Sequence, residues 1–126
     1  MTAHSDESQI RELIEHWARA VRDLDMDAIL ARHTTDVVMF DVPMPLQSRG
    51  LDAYRETWEL FFQYSKGGPH SFDVIELDVV TSPTVAFCHG ILGIMGSRLR
   101  LTVGLRKQDG EWRIAHEHHS YPAQIG

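Results

Sequence analysis

The stretch LRKQDGEWRIAHEHHS, residues 105–120, reads as a β-hairpin with a polar end. The turn signal QDG at 108–110 separates two strand-like segments, 98–108 and 111–120. In the first, Leu99, Leu101, Val103 and Leu105 alternate with Arg98, Arg100, Thr102 and Arg106, so one face is apolar. In the second, strict alternation puts Trp112, Ile114, His116, His118 and Ser120 on one face. Arg113, Ala115, Glu117, His119 and Tyr121 take the other. Three of the chain's eight histidines fall in this short run. Two histidines at i and i+2 can share a zinc ion, but no third ligand stands at a recognisable spacing. HEHH also lacks the H-E-x-x-H helix spacing. The run reads as the polar end of a closing strand, with histidines at a cavity mouth or a subunit interface, and not as a metal site.

Working back from this hairpin, segments 71–80 and 84–95 are also strand-like, punctuated by SP at 82–83 and GS at 96–97. Together they predict a four-strand antiparallel meander. Further upstream, Ile10, Leu13, Ile14, Trp17, Ala18, Val21 and Leu24 recur at spacings of three and four, which predicts a one-faced helix over 8–24. Ser5 or Asp6 can cap it, and residues 1–7 read as a tail. A short second helix follows Asp25, with Met26, Ile29, Leu30 and His33 on one face. DVVMFDV predicts a strand over 36–42, with Val37, Met39 and Asp41 on one side. A third helix is expected over 51–64, with Leu51, Tyr54, Trp58 and Phe61 on one side, stopped by KGGP.

Helices first and antiparallel strands after them predict an α+β fold in a single domain. A curved, mixed and mostly antiparallel sheet would wrap three N-terminal helices and leave a conical pocket. The chain has 126 residues, 43% hydrophobic and 24% charged, and a formal net charge of −6. An acidic balance argues against nucleic acid or anionic membrane as the partner. No apolar run is long enough to span a membrane. The polar start MTAHSDES does not resemble a signal peptide, and the single Cys88 allows no intrachain disulfide, so a cytoplasmic location is expected.

The residues that could carry chemistry follow from these elements. Asp41 ends a strand whose neighbours on that face are apolar. Apolar surroundings disfavour a charged carboxylate, the condition under which one becomes a useful base. The plainer reading is an aspartate bonded to its own turn. His89, taken to share an inward face with Val85, Phe87 and Ile91, could partner Asp41 as an acid/base couple or sit as a satisfied core residue. His33 suits packing. Trp17, Tyr54, Trp58 and Phe87 serve either as core or as a substrate-orienting pocket wall. No glycine-rich phosphate loop or metal signature is present, so no cofactor is expected.

The order of elements resembles the nuclear-transport-factor-2-like superfamily, which includes ketosteroid isomerase and the SnoaL-like polyketide cyclases. The marks are LDMDAILARHTTDVVMFD, the glycine of SRG, and LRKQDGEWRIAHEHHS. The last is similar to the ketosteroid isomerase homologue group. The resemblance runs from Ile10 to Pro122 and implies an α+β cone, a pocket for a small apolar organic ligand, and a homodimer. In the isomerase the general base ends the first strand, nine residues before the glycine that starts the third helix. Asp41 and Gly50 keep that spacing. The isomerase's phenolic donor aligns with Trp17 and its protonated aspartic acid with Val103. The oxyanion site is therefore largely absent, which argues against steroid isomerisation. His89 aligns with a pocket-lining position. In the last strand the alignment needs a two-residue gap, leaving His118 and His119 as alternatives, with His119 the better match.

Two functions are expected to compete. One is an enzyme that abstracts a proton beside a carbonyl, of isomerase, cyclase or lyase type, with Asp41 and His89 catalytic. Substrate would then contact Trp17, Tyr54, Trp58, Phe87, Val103 and His118 or His119. The other is a non-catalytic ligand-binding or oligomerisation module, using the sheet face of Arg98, Arg100, Thr102 and Arg106.

Overall fold

The computed structural model describes residues 5–125. Its elements run α1 (Asp6–Arg22), α2 (Met26–Leu30), β1 (His33–Phe40), β2 (Ser48–Arg49), α3 (Leu51–Tyr64), β3 (Asp73–Thr81), β4 (Val85–Ile94), β5 (Ser97–Gln108) and β6 (Glu111–Ser120). The fold is α+β as expected, with a six-stranded sheet ordered β2-β1-β6-β5-β4-β3. All neighbours are antiparallel except β1 and β6, which run parallel. No helix is long and apolar enough to cross a membrane.

Local chemistry explains the helix boundaries. Ser5 accepts the N–H of Ser8 at 3.1 Å, and Asp6, Glu7, Arg19 and Arg22 complement the α1 dipole at its two ends. Of the tail expected over 1–7, Asp6 and Glu7 therefore belong to the helix, while residues 1–4 lie outside the described residues. Asp25 caps α2 through Ala28 N–H at 3.1 Å. His33 was expected on the second helix and instead opens β1, three residues before the predicted strand start. β2 pairs with β1 through only two residues, too few for a period-two pattern to be read.

Two of the three hairpin turns are two residues long with positive φ. Met95 and Gly96 join β4 to β5, and Asp109 and Gly110 join β5 to β6. The first turn sits one residue before the expected GS.

These turns set the faces. Cys88, Val103, Glu117 and Met39 lie opposite one another in successive strands and all point into the core. The neighbouring outward row is His89, Thr102, His118 and Phe40. Leu99, Leu101, Val103 and Leu105 are buried, as their alternation predicted. On β4 the buried side chains are Ala86, Cys88 and Leu92, not Val85, Phe87 and His89. The expected inward phase of β4 is thus corrected. Both of its faces carry apolar residues, so composition could not choose between them. Pairing could: a two-residue turn matches odd positions with even ones, so inward Leu101 and Val103 require inward even positions on β4.

The last strand holds a second departure. Its register with β5 shifts between Gly104 and Leu105, so Ala115 is an extra, bulged residue. Before the bulge Trp112 and Ile114 face inward; after it Glu117 and His119 do. Strict alternation had kept His116 and His118 with Trp112. The bulge reverses that, placing His118 in solvent.

β3 crosses β4 very closely at its own register shift near Ile75. A Cβ on Gly90 would lie 2.0 Å from the Glu76 carbonyl oxygen. Gly90→Ala is expected to destabilise the fold by about 1–3 kcal/mol, because backbone must move to admit the methyl group. Urea unfolding measures this; an unchanged midpoint would mean that the crossing relaxes freely.

Candidate active site

The inward end of β6 brings its polar residues against the helices. Glu117 is fully buried, at 0% exposure. Its Oε2 receives the Tyr54 hydroxyl at 2.6 Å from α3 and His33 Nε2 at 2.5 Å from β1. Its Oε1 receives His119 Nε2 at 3.1 Å. Behind Tyr54, the Trp17 indole N–H donates to the phenolic oxygen at 3.2 Å. The His33 and Tyr54 rings meet at a tilt of 35° with centroids 4.4 Å apart.

The charge state of this cluster follows from its contacts. Burial by itself raises the Glu117 carboxyl. Hydrogen bonds and charge from His119 and His33 outweigh that and hold its pKa down to about 2. An ionised carboxylate only accepts hydrogen bonds, so both histidines donate through Nε2–H. Burial also works against charge on His119. The hydrogen bond and charge of Glu117, and then the charge of Asp41, prevail and raise the imidazole above its ordinary 6.5. Burial first, and the Glu117 charge second, push the Tyr54 hydroxyl well above 10, so it stays protonated as a donor.

Asp41 follows β1, beside the inward end of β6. Its Oδ1 accepts the N–H of the next residue, Val42, at 2.8 Å. The same oxygen lies 3.7 Å from His119 Nδ1. Asp41 and His119 both open onto a cleft of about 310 Å³ whose walls include Trp58, Phe61, Phe72 and Leu99. A second cleft of about 280 Å³ adjoins it, and Asp41, Pro43, Thr57 and Leu60 line both.

The expected site residues divide accordingly. The fold brings Asp41, Trp58 and His119 together at the cleft. Trp17 and Tyr54 are buried one layer deeper, where their polar tips serve Glu117. Val103 is a core residue opposite Glu117. Phe87 and His89 are corrections: they stack on each other on the outer face, with the His89 side chain 57% exposed and 3.8 Å from Asp78. The expected Asp41–His89 pair does not form, because the β4–β5 pairing turns His89 away. His118 likewise packs against Phe40 outside. Among the described residues, no group of three or more His, Cys, Asp or Glu is arranged to hold a metal ion.

Glu117 is the residue that sequence reasoning missed. Strict alternation put it opposite Trp112, and nothing local marks the bulge. The gap required near the end of the last strand was the one sign of an irregular register.

The paired shifts carry a pH signature. His119 is raised, so its stabilising contribution is complete below about pH 6.5 and is lost as pH rises through the folded value. Glu117 is depressed, so its contribution is complete above about pH 4.5 and is lost as pH falls through about 2. The urea midpoint is expected to peak between these limits and to decline on both sides. A midpoint unchanged from neutral to alkaline pH would show that His119 is not held as a cation.

No curated protein matches the sequence. Among solved structures, the chain is similar to an NTF2-like protein of unknown function from Pseudomonas putida KT2440. That match has 35% identity, 98% of this chain and 92% of that one covered, and a TM-score of 0.84. A protein provisionally named a ketosteroid isomerase, from Parabacteroides distasonis ATCC 8503, shares 22% identity over 94% of this chain and 89% of that one, with a TM-score of 0.75. A provisionally named calcium/calmodulin dependent protein kinase II association domain from Xanthomonas campestris shares 15% identity over 99% and 94%, with a TM-score of 0.76. At those lower identities the likeness is one of fold. The SnoaL-like domain model matches residues 10–124, and with the fold described above this chain belongs to the SnoaL-like family of the nuclear-transport-factor-2-like superfamily.

Proposed function

We propose that this protein takes a small, largely apolar organic molecule into the cleft and removes a proton from the carbon beside its carbonyl group, with Asp41 as general base. The observation that carries this reading is the Asp41 carboxylate facing the His119 imidazole at 3.7 Å in a cleft walled by aromatic and aliphatic side chains. A proton passes from the substrate carbon to the Asp41 carboxylate, and the electron pair moves onto the carbonyl oxygen. The resulting enolate meets the His119 ring, which takes the role first expected of His89. Returning the proton to another carbon completes an isomerisation; attack by the enolate carbon on a second carbonyl gives a cyclisation; expulsion of a β-leaving group gives a lyase step. The scheme needs no cofactor.

The isomerase's own oxyanion arrangement has no counterpart here. Val103 has no donor, the Trp17 N–H is given to Tyr54, and the Tyr54 proton is given to Glu117. That supports a carbonyl substrate other than a steroid. A cytoplasmic location fits the buried and unpaired Cys88.

The test is α-proton exchange. Ketones such as acetophenone and cyclohexanone are incubated with the protein in D₂O, and deuterium uptake is followed by mass spectrometry. Asp41→Asn is expected to lower the rate by about 10²–10⁴, the usual share of a positioned base. No exchange above buffer across the panel, or an unchanged rate in the variant, sinks the reading.

A second reading, an oligomerisation or ligand-binding module, is favoured by the outer sheet face. Val80, Val85 and Phe87 are about half exposed there. Glu76 and Arg100 share an outward row through Ile91, which gives a self-mating surface opposite charges. A homodimer through this face is expected. Sedimentation of Phe87→Glu should then show a monomer where the wild type is a dimer; a monomeric wild type removes the oligomerisation reading.

A further inference from the structure

We propose that Glu117 is the positioning residue of this site. Its carboxylate holds His119 with Nε2–H turned into the core and Nδ1–H presented to the cleft as the donor for the substrate's oxygen. The inference rests on the cleft being a proton-transfer site and adds how that site is set.

Glu117 cannot act on a ligand directly, because it is fully buried and lines neither cleft. As packing alone it is costly. An apolar side chain of similar volume fills the same space without taking a charge out of water. What an apolar side chain cannot do is hold one ring nitrogen of His119 and favour the protonated imidazole. The carboxylate is divided for that task. Oε2 is taken by Tyr54 at 2.6 Å and His33 at 2.5 Å, which leaves Oε1 for His119. Tyr54 is fixed in turn by the Trp17 N–H, so its own proton points at the carboxylate.

His119 has little freedom in response. Its ring is 5% exposed and packs near Trp17 and Trp58, with centroids 6.0 and 6.4 Å away. The charged groups facing it are Glu117 on its own strand and Asp41 beyond β1. With Nε2 committed, Nδ1 is the nitrogen on the cleft side. Its 3.7 Å separation from Asp41 exceeds hydrogen-bond length, so in the protonated ring Nδ1–H is available to a ligand oxygen brought beside Asp41. The carboxylate thus fixes the direction of the ring and favours its cationic form, in which Nδ1 also carries a proton.

The experiment is long-range ¹H–¹⁵N NMR of the histidine rings in the full chain, with acetophenone exchange measured in parallel. In the wild type at neutral pH, both His119 nitrogens are expected to be protonated. In Glu117→Gln the protonation constant of His119 should fall tenfold or more, and the acetophenone exchange rate should fall while KM holds. Glu117→Asp keeps the charge and should restore part of both. If His119 titrates alike in wild type and Glu117→Gln, the proposal is overturned. Should Glu117→Gln fail to fold, Tyr54→Phe decides. It leaves the carboxylate with one donor fewer, so the His119 protonation constant should hold or rise, and a fall overturns the proposal. Absence of ketone exchange in the wild type sinks the proton-abstraction reading alone, since the ring signals report on Glu117 independently.

Discussion

A carboxylate shut off from water joins four elements of this molecule. Burying an ion costs on the order of several kcal/mol unless its lone pairs are matched. For Glu117 the matching donors come from α3, β1 and its own strand, with α1 behind Tyr54. Each partner is itself buried. The same contacts that make the ion tolerable thus pin α1 and α3 to β1 and β6. They also give His119 its charge and direction.

The bulge at Ala115 makes this possible. Without it, the face that carries Trp112 and Ile114 into the core would carry His116 and His118 there too, leaving Glu117 in solvent. One extra residue reverses the phase, so an acid and an imidazole two residues apart both enter the interior. The parallel pairing of β1 with β6, Phe40 opposite His118, then sets Asp41 beside His119. An acid–imidazole–acid row joins Asp41 to two residues of the distant last strand, with Asp41 and His119 open to the cleft and Glu117 closed off. The chain thus sets a strand-end aspartate beside an imidazole of the last strand, with the buried carboxylate behind it.

The outer sheet face follows a different logic. His89, Thr102 and His118 form one outward row, flanked by Phe87 and Val80, with arginines toward its edges. Large apolar side chains on both sides of β4 are what made its inward face hard to read. They also mark the outer face as a surface with something to cover.

Much of the fold was legible in the sequence. Helical spacing marked α1 and α3, β-branched runs marked the strands, and the alternation of Leu99 to Leu105 named its buried face correctly. These signals are local, because amphipathic period and turn chemistry depend only on near neighbours. The strand-end aspartate was legible too, from the period of two in DVVMFDV, and its role was implied by the resemblance to the isomerase. The sequence by itself thus determined the elements, their order and the position of one carboxylate. Tertiary structure decided which face of β4 looks inward, the phase change within β6, and the meeting of Glu117 with His33, Tyr54 and His119. Those depend on strand register and on a bulge whose stability comes from partners distant in the chain, and no local pattern encodes them.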